Sequence, residues 1–386
     1  MRVPPTSFIL SLLLVACGTA ATDIGRAAAQ GQAPITGEQP FAAKPFADNV
    51  IATFDQPWAM TFLPDGRMLV TEKPGRLVLL SADGAQKVSV TGVPQVASAG
   101  QGGLMDVVPH PGFARNHRIY LSYSEAGAGG NGVVLARATL VEGPDDAARL
   151  DQVETLFRAP KVDGNGHYSG RIAFAPDGHL FFTAGERQKF DPAQDPKLPL
   201  GKVLRLNDDG TAAKGNPLAA KGFDPRIWSY GHRNLLGIAF DARGGLWEQE
   251  MGPKGGDELN LILPGRNYGY PIVSNGNHYD GRDIPDHPTR PELEAPKASW
   301  NPVISPAGLM IYSGTMFPDW RGNAFIGGLS SKALIRVALT GISAREAARY
   351  DMGARIREVE QGPDGAIYVL EDGAGGRLLR LTPKQP

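Results

Sequence analysis

The sequence FLPDGRMLVTE, residues 62–72, has the pattern of a β-hairpin: an apolar run, a Pro-Asp-Gly turn and a second apolar run. Proline presets the backbone at the first turn position, and aspartate and glycine tolerate the positions that follow. The pattern recurs at 174–183 (FAPDGHLFFT) and 361–370 (QGPDGAIYVL), with a degenerate copy at 240–247 (FDARGGLW). This repeated pattern therefore predicts an all-β protein built from hairpins.

The spacing of these hairpins predicts a β-propeller. Equivalent turn positions lie 112, 66 and 121 residues apart, close to multiples of roughly 55 to 65 residues, which is about one long propeller blade. At that period, residues 48–384 form one six-bladed β-propeller domain, in which a strand near residues 50–54 completes the last blade and closes the ring. A seven-bladed propeller and a pair of large β-sandwiches are the alternatives. Helix signals are scarce, and residues 343–350 (SAREAARY) are the best candidate.

Composition narrows the class of protein further. The 49 glycines and 32 prolines indicate many turns and short strands. The formal net charge of −1 provides no excess of positive charge to attract nucleic acid, so we expect no nucleic-acid partner. No apolar run after the first 20 residues has the length that crosses a bilayer. We expect a monomer or weak dimer.

The N-terminus has the pattern of an export signal. An apolar run at residues 8–15 is too short to span a bilayer and ends at Cys17, the chain's single cysteine. The sequence LVAC resembles a bacterial lipobox, so residues 1–17 read as a lipoprotein signal with Cys17 as the lipidation site. The alternative is an ordinary signal peptide cut within residues 19–21. The composition of residues 18–47 predicts a flexible tether. We expect the protein to be periplasmic and to contact the membrane through the lipid.

Polar loops precede several of the predicted inner strands. They lie at residues 101–104, 163–171, 232–234 and 352–358. Because such loops converge at one end of a propeller channel, their polar side chains can act together although they are far apart in sequence. A fifth loop, 252–258 (GPKGGDE), exposes backbone carbonyls beside two carboxylates, the oxygen ligands that calcium prefers. The alternative for each is an ordinary solvated loop.

In combination and in order, the motifs resemble the soluble pyrroloquinoline quinone (PQQ)-dependent sugar dehydrogenases of the glucose/sorbosone type, especially the aldose sugar dehydrogenases. The resemblance runs from about residue 56 to 383 and implies a six-bladed propeller. The motifs that carry it are QPWAMTFLPDGRMLVTEKPGRL (56–77), GQGGLMDVVPHPGF (100–113), HYSGRIAFAPDG (167–178), GHRN (231–234), GPKGGDELNLI (252–262), NYGYP (267–271) and RIREVEQGPDG (355–365).

The resemblance also implies the site residues. His167 matches the catalytic histidine, and the backbone carbonyls of Gly252 and Pro253 match the ligands of a calcium ion on the quinone. Glu258 and the backbone of Tyr268 match a second, structural calcium site. The positions that match PQQ contacts are Gln101, Arg233, Asn234, Arg355 and Arg357.

The chemistry suits these residue types. Guanidinium groups bind the carboxylates of PQQ, calcium polarises a quinone carbonyl, and a neutral imidazole takes the hydroxyl proton as hydride leaves the anomeric carbon. The implied reaction oxidises an aldose to a lactone and passes electrons to an external acceptor. Two positions depart from the family pattern. Ser330 stands where many relatives have a lysine, and Lys332, two residues further on, is a candidate to replace that lysine. Leu236 lies where some relatives have the sequence Asn-Pro-Gln-Gly, so the glutamine amide is lost.

Two other functions remain open from the sequence. A calcium-dependent lactonase uses the same fold, but we would expect carboxylates and asparagines around its metal in place of a histidine and an arginine pair. A non-catalytic propeller lipoprotein, a binding module, would explain the changes at Ser330 and Leu236. The fold alone cannot choose among the three.

Overall fold

The computed structural model describes residues 1, 34–144 and 147–384. Within them, β-strands form nearly all the regular structure, which confirms the predicted all-β class. The strands are β1 Ile35–Thr36, β2 Phe46–Asp55, β3 Pro57–Phe62, β4 Met68–Glu72, β5 Arg76–Leu80, β6 Lys87–Thr91, β7 Leu104–Pro109, β8 Arg118–Gly127, β9 Gly130–Glu142, β10 Ala148–Arg158, β11 Ser169–Phe174, β12 Leu180–Ala184, β13 Lys202–Leu206, β14 Ile227–Tyr230, β15 Leu235–Phe240, β16 Leu246–Glu250, β17 Lys254–Gly255, β18 Asp257–Ile262, β19 Gly276–Asn277, β20 Ala298–Asn301, β21 Pro306–Ile311, β22 Ala324–Gly328, β23 Ala333–Thr340, β24 Ser343–Asp351, β25 Ile356–Gln361, β26 Ile367–Glu371 and β27 Ala374–Pro383.

Helical structure in the same residues is limited to five short pieces. One is an α-helical turn, α1, Phe113–Asn116. The others are 3-10 turns at Asp191–Ala193, Ala219–Lys221, His287–Thr289 and Pro318–Trp320.

The longer strands fall into groups of four antiparallel neighbours. The groups are β3–β6, β7–β10, β11–β14, then β15, β16, β18 and β20, then β21–β24, and last β25, β26, β27 and β2. Parallel pairing of β6 with β10 joins the first two groups into one eight-stranded sheet. The N-terminal β2 pairs with β27, so the start of the chain completes the last group, as the sequence predicts.

The groups follow one another around a ring. The first strands contact in the order β3, β7, β11, β15, β21 and β25, and β25 contacts β3 again. Hydrophobic clusters fill the spaces between consecutive groups; Phe157 and Phe182, for example, meet edge to face at 5.6 Å between the second and third groups. Because each sheet is covered on both faces by its neighbours, its strands are apolar on both sides.

The repeated hairpins join the first and second strands of four groups. In the first of them, the Leu63 N–H donates to the Arg67 carbonyl across the Pro-Asp-Gly turn. The segments that precede the first strands enter from the opposite end of those strands. This common direction brings the polar loops 101–104, 163–171, 232–234 and 352–358 to one end of the ring.

Two expectations differ from the structure. The helix predicted at residues 343–350 is wrong: β24 covers it and pairs with β23 along its length. The helix propensity of its alanines is overridden, because Ala344 and Tyr350 are buried when this segment forms the fourth strand of the sheet. The predicted tether also differs over residues 34–47, where β1 pairs with Trp300 and Asn301 and Phe46 is buried.

No helix in the described residues is long and apolar enough to cross a membrane. Cys17 and the predicted signal segment lie outside the described residues, apart from Met1.

Candidate functional site

A cavity of about 400 Å³ opens where the polar loops converge. Four of the five predicted quinone-binding residues line it: Gln101, Asn234, Arg355 and Arg357. Gln101, Asn234 and Arg355 lie just before β7, β15 and β25, and Arg357 lies in β25, so the ring brings together residues more than 250 positions apart. We call this space the arginine cavity.

A second cavity of about 590 Å³ shares Gln101, Met251 and Ser305 with the arginine cavity. The remaining predicted residues of the reaction site line it: His167, Arg233, Gly252 and Pro253. We call this space the histidine cavity. The predicted catalytic histidine and the two residues predicted to bind calcium therefore line one space, next to the space that holds the arginines.

His167 is held from several directions. Its backbone N–H donates to Gln101 Oε1 at 2.7 Å, and its Nδ1 is in contact with a carboxylate oxygen of Glu186. The side chain is 8% exposed, so His167 is a tightly packed histidine at the wall of the cavity. Nε2 is the ring nitrogen left for a substrate.

Glu186 was not predicted from the sequence. It is fully buried, and its Oε2 accepts hydrogen bonds from the backbone N–H groups of Lys189 at 2.5 Å and Phe190 at 2.8 Å. Burial raises the pKa of this carboxyl, but the hydrogen bonds from His167 and the backbone outweigh it, and the pKa lies below its usual value. Glu186 therefore stays ionised and fixes the tautomer of His167.

Burial lowers the pKa of the His167 imidazole, and the nearby Arg233 acts in the same direction, whereas Glu186 opposes them. The net shift is downward, so His167 is neutral at pH 7. A neutral imidazole with its Nδ1 proton directed at Glu186 has a free lone pair on Nε2, which is the state that a general base requires.

The backbone around His167 is strained. Half of the ten described non-glycine residues with positive φ lie in the two loops that form this contact: His167, Ser169, Arg187, Gln188 and Phe190. Such conformations cost about 1–3 kcal/mol each and concentrate at functional sites. Gly185 allows the close approach of the loops, because a Cβ there would lie 2.1 Å from the His167 carbonyl oxygen.

The two arginines of the arginine cavity share one carboxylate. Asp372 accepts from Arg355 Nε at 2.8 Å and from Arg357 Nε at 2.9 Å. A further cation, Lys73, lines the same cavity and donates to the Gly100 carbonyl. The cavity thus holds three cations and one anion, a net positive charge suited to a polycarboxylate ligand.

Ser330 does not line either cavity, and neither does Lys332. Lys332 would reach the same face as residue 330 only if this segment were an extended strand, but residues 329–331 form a bend and Lys332 has φ +51°. Lys73, from the segment after β4, supplies a cation to the cavity instead. Leu236 does line the arginine cavity and contributes an apolar wall.

The carbonyl of Gly252 accepts a hydrogen bond from Arg233 Nη1 at 2.6 Å. Asp257 shapes the loop, since its carboxylate accepts from the backbone N–H groups of Gly252, Ile304 and Ser305. Burial raises the pKa of Asp257 to about 7. Arg233 Nε is buried and has no partner among the described residues, which leaves a donor free for a ligand oxygen.

Glu258 lies elsewhere, although it follows Asp257 directly. Neighbouring residues of a strand point to opposite faces, and Glu258 points into a buried cluster with its carboxylate on Asn260 Nδ2 at 3.2 Å and on His287 Nε2 at 3.3 Å. The two carboxylates predicted to share one loop, Asp257 and Glu258, therefore lie in two different environments.

The buried cluster contains further acids. Glu248 and Glu250 lie two residues apart on β16, opposite Asn260 and Glu258 on β18, and with His232 they present ligand atoms within 4.8 Å of one another. Burial raises the pKa of Glu248 and Glu250 well above the usual value. Tyr268 stacks on His232 at 4.6 Å between ring centroids. Several carboxylates this close and this buried call for a cation or for bound protons.

His232, next to Arg233 in the sequence, is the alternative candidate for a catalytic histidine. It is fully buried, its Nε2 is 2.9 Å from Ser229 Oγ, and burial lowers its pKa to about 3. It lines neither cavity, so it cannot reach a substrate there.

Several residues of these sites were not predicted from the sequence. They are Lys73, Glu186, His232 as a possible ligand, Glu248, Glu250, His287 and Asp372. One signal was present: the acids of LWEQE alternate in an apolar strand, so both point to one face. Glu186 and Asp372 carry no such pattern, because each is defined by its partner on another loop.

Comparison with known proteins identifies the family of this chain. Residues 54–380 match the family model for glucose/sorbosone dehydrogenase. The chain is 39% identical over 341 residues to the aldose sugar dehydrogenase YliI of Escherichia coli strain K12, covering 86% of this chain and 91% of that protein.

Solved structures give the same result. The soluble aldose sugar dehydrogenase from Escherichia coli in its apo-form aligns with a TM-score of 0.82 at 38% identity, covering 88% of this chain and 100% of the other. A PQQ-bound aldose sugar dehydrogenase from Streptomyces coelicolor aligns with a TM-score of 0.71 at 28% identity, covering 89% and 99%. The chain therefore belongs to the glucose/sorbosone dehydrogenase family.

Proposed function

We propose that this protein is a PQQ- and calcium-dependent aldose dehydrogenase, which oxidises sugars at the anomeric carbon to lactones and passes the electrons to an external acceptor. The proposal includes the architecture: the groups of four strands are the blades of a six-bladed propeller spanning about residues 48–384. The single observation that carries it is the convergence of Arg355, Arg357 and Gln101 beside His167 and Gly252.

The residues fit the cofactors. Arg355, Arg357 and Lys73 would hold the carboxylates of PQQ, Gln101, Asn234 and the free Nε of Arg233 would meet its oxygens, and the carbonyls of Gly252 and Pro253 would hold calcium. When bound, PQQ accepts the two electrons and calcium acts as a Lewis acid. Asp372 holds both arginines in place, because its carboxylate accepts hydrogen bonds from the Nε atoms of Arg355 and Arg357 at 2.8 and 2.9 Å.

His167 moves the proton. With Nδ1–H directed to Glu186, its Nε2 accepts the proton of the anomeric hydroxyl as the C–H bond breaks. Glu186 then stabilises the imidazolium by its negative charge. The Gln101 side chain holds the His167 backbone, so the imidazole does not have to reorient during the reaction.

A second calcium belongs in the cluster of Glu248, Glu250, Glu258 and His232, and the resemblance adds the backbone of Tyr268, whose ring stacks on His232. This site is structural, because its ligands are buried and line neither cavity. A lactonase is disfavoured by the histidine and the arginines that line the two cavities. A non-catalytic binding module would not need the strained His167–Glu186 contact.

We also propose that the protein is exported and anchored through a lipid on Cys17. The support is the LVAC sequence at the end of a short apolar run.

The test is reduction of a redox dye with a panel of aldoses, with and without added PQQ and calcium. We expect turnover only when both are present, and lactone as the product. Turnover that is independent of PQQ, or lactone hydrolysis without dye reduction, would overturn the proposed function.

A further inference from the structure

Met251 lies at the junction of the arginine cavity and the histidine cavity. It is one of three residues that line both, together with Gln101 and Ser305. The proposed function gives Gln101 a task and leaves the thioether of Met251 without one. A thioether is an apolar, polarisable wall for a binding site, and it is also a group that peroxides convert to a polar sulfoxide.

The setting of Met251 differs from that of the other seven methionines. Met1 is the terminal residue of the predicted signal segment. Met316 is partly exposed, as Met251 is, but it packs against hydrophobic clusters and lines neither cavity. The remaining five are at most 6% exposed: Met60, Met68, Met105, Met310 and Met352. Met251 is therefore the methionine that an oxidant small enough to enter the cavities would meet there.

The sulfur atom of Met251 is in contact with a predicted cofactor ligand. Asn234 Nδ2 donates a weak hydrogen bond to Met251 Sδ at 3.8 Å. Asn234 is fully buried and lines the arginine cavity. A thioether sulfur is a weak acceptor, so the amide of Asn234 can exchange this contact for a ligand oxygen. A sulfoxide oxygen is a strong acceptor and would keep the amide on Met251.

The backbone of Met251 is fixed on both sides, so an oxidised side chain has little freedom to move out of the cavities. Its N–H donates to the Asn234 carbonyl at 3.0 Å, and its carbonyl accepts from Arg233 Nη1 at 2.8 Å. The next residue is Gly252, where a Cβ would lie 2.3 Å from the Gly256 carbonyl oxygen. The added oxygen must therefore be accommodated at the junction itself.

We propose that Met251 is a reversible oxidation site that controls ligand binding in the arginine cavity. Hydrogen peroxide transfers one oxygen atom to the sulfur: the O–O bond breaks, an S–O bond forms, the sulfur gives up two electrons, and the peroxide leaves as water. The sulfoxide then occupies the junction and holds Asn234. A methionine sulfoxide reductase, supplied with two electrons by a thiol, returns the thioether. The identity of the excluded ligand as PQQ rests on the proposed function.

Peptide mass spectrometry tests the modification without any need for turnover. The full chain without PQQ is treated with hydrogen peroxide, and the oxygen gained at each methionine is measured. We expect Met251 and Met316 to gain oxygen before the five buried methionines do. Affinity for PQQ, from fluorescence titration with calcium present, should fall about five-fold, roughly the effect of losing one hydrogen bond. Treatment with a methionine sulfoxide reductase and its thiol reductant should reverse both changes.

Two leucine variants separate the effect of Met251 from general oxidation. Met251→Leu keeps the volume and the apolar character without the sulfur. Its affinity for PQQ should be the same before and after peroxide. Met316→Leu is the matched control, a partly exposed methionine outside both cavities, and it should still lose affinity on treatment. If Met251→Leu does not fold, protection replaces it: PQQ and calcium bound beforehand should slow oxygen uptake at Met251 and leave that at Met316 unchanged.

Oxygen uptake at Met251 that leaves PQQ affinity unchanged, a loss of affinity that persists in Met251→Leu, or an absence of protection would overturn the proposal. Its failure is distinguishable from failure of the proposed function. A protein that oxidises aldoses and whose PQQ affinity ignores oxidation of Met251 refutes the oxidation site alone. A protein that binds PQQ in an oxidation-sensitive way and oxidises no aldose refutes the proposed function alone, and one that binds no PQQ refutes both.

Discussion

Replacing Glu186 by glutamine should disable His167 while leaving the fold and the cofactor cavities intact. The Glu186 Oε2 atom accepts two backbone N–H groups, at 2.5 and 2.8 Å. In the glutamine variant the amide oxygen must take that place, because an NH2 group there would face two donors. The amide NH2 then points at His167 Nδ1 and donates to it. The imidazole proton is forced onto Nε2, the atom that must accept the substrate proton.

The magnitude follows from this tautomer change. Loss of general-base catalysis costs about 10²- to 10⁴-fold in rate, and substituting an amide for a carboxylate that orients a histidine reaches about 10⁴ in another enzyme. We expect kcat of Glu186→Gln to fall by that range, about 3–5 kcal/mol of activation free energy. Since the two residues act as one unit, adding His167→Ala should cost little more.

The assay is dye-linked turnover of an aldose with saturating PQQ and calcium, measured across pH. Wild-type kcat/KM should be lost as pH falls through the His167 pKa, which burial holds below 6.5, because the protonated ring cannot act as a base. In Glu186→Gln, kcat/KM should be much lower than in the wild type, and it should no longer change as the pH passes the His167 pKa. A variant that keeps turnover within three-fold of wild type, with the same pH profile, would refute the role given to Glu186.

His167→Ala should lose about 10²- to 10⁴-fold in turnover while still binding PQQ by absorbance, and His232→Ala as the only damaging change would identify a different base. Chelation of calcium should lower the melting temperature, since a ligand at 100 times its Kd stabilises by about 2.7 kcal/mol, and Glu258→Gln should shrink that effect; an unchanged melting temperature argues against both calcium sites. Lys73→Met should weaken PQQ binding measured by fluorescence titration, and unchanged affinity would remove Lys73 from the cofactor site. Cys17→Ala should move the protein from the membrane fraction to the soluble periplasm, and a wild type already fully soluble would contradict the lipobox.

Much of this protein was readable from local sequence. The Pro-Asp-Gly turns identify hairpins because turn geometry depends on a few adjacent residues, and their spacing predicts a repeated sheet. The segment 343–350 shows the limit, since its helical propensity gave way to a free sheet edge at β23 that required a partner strand. The pairing of β2 with β27 was predictable because a closed ring leaves no exposed edge.

The resemblance supplied the residues of the site without their relationships. Gln101, His167, Arg233 and Arg357 were named one by one, and it was the fold that put them around two adjoining cavities. Strand alternation then separated Asp257, which holds the Gly252 loop, from Glu258, which joins a buried cluster. The two-residue period of a β-strand implies that Asp257 and Glu258 point to opposite faces. Which residues each carboxylate then contacts depends on strands that are distant in the chain.

Sequence alone thus determined the all-β class, the hairpins and the candidate residues, because these depend on side-chain type and on neighbours within a few positions. Tertiary structure decided that Glu186 orients His167, that Asp372 joins Arg355 to Arg357, and that Lys73 rather than Lys332 supplies the third cation. Hydrogen bonds and burial set the protonation of these groups, and both arise from contacts between loops of different groups of strands. No local pattern encodes such a contact, since its distance depends on how the whole ring closes.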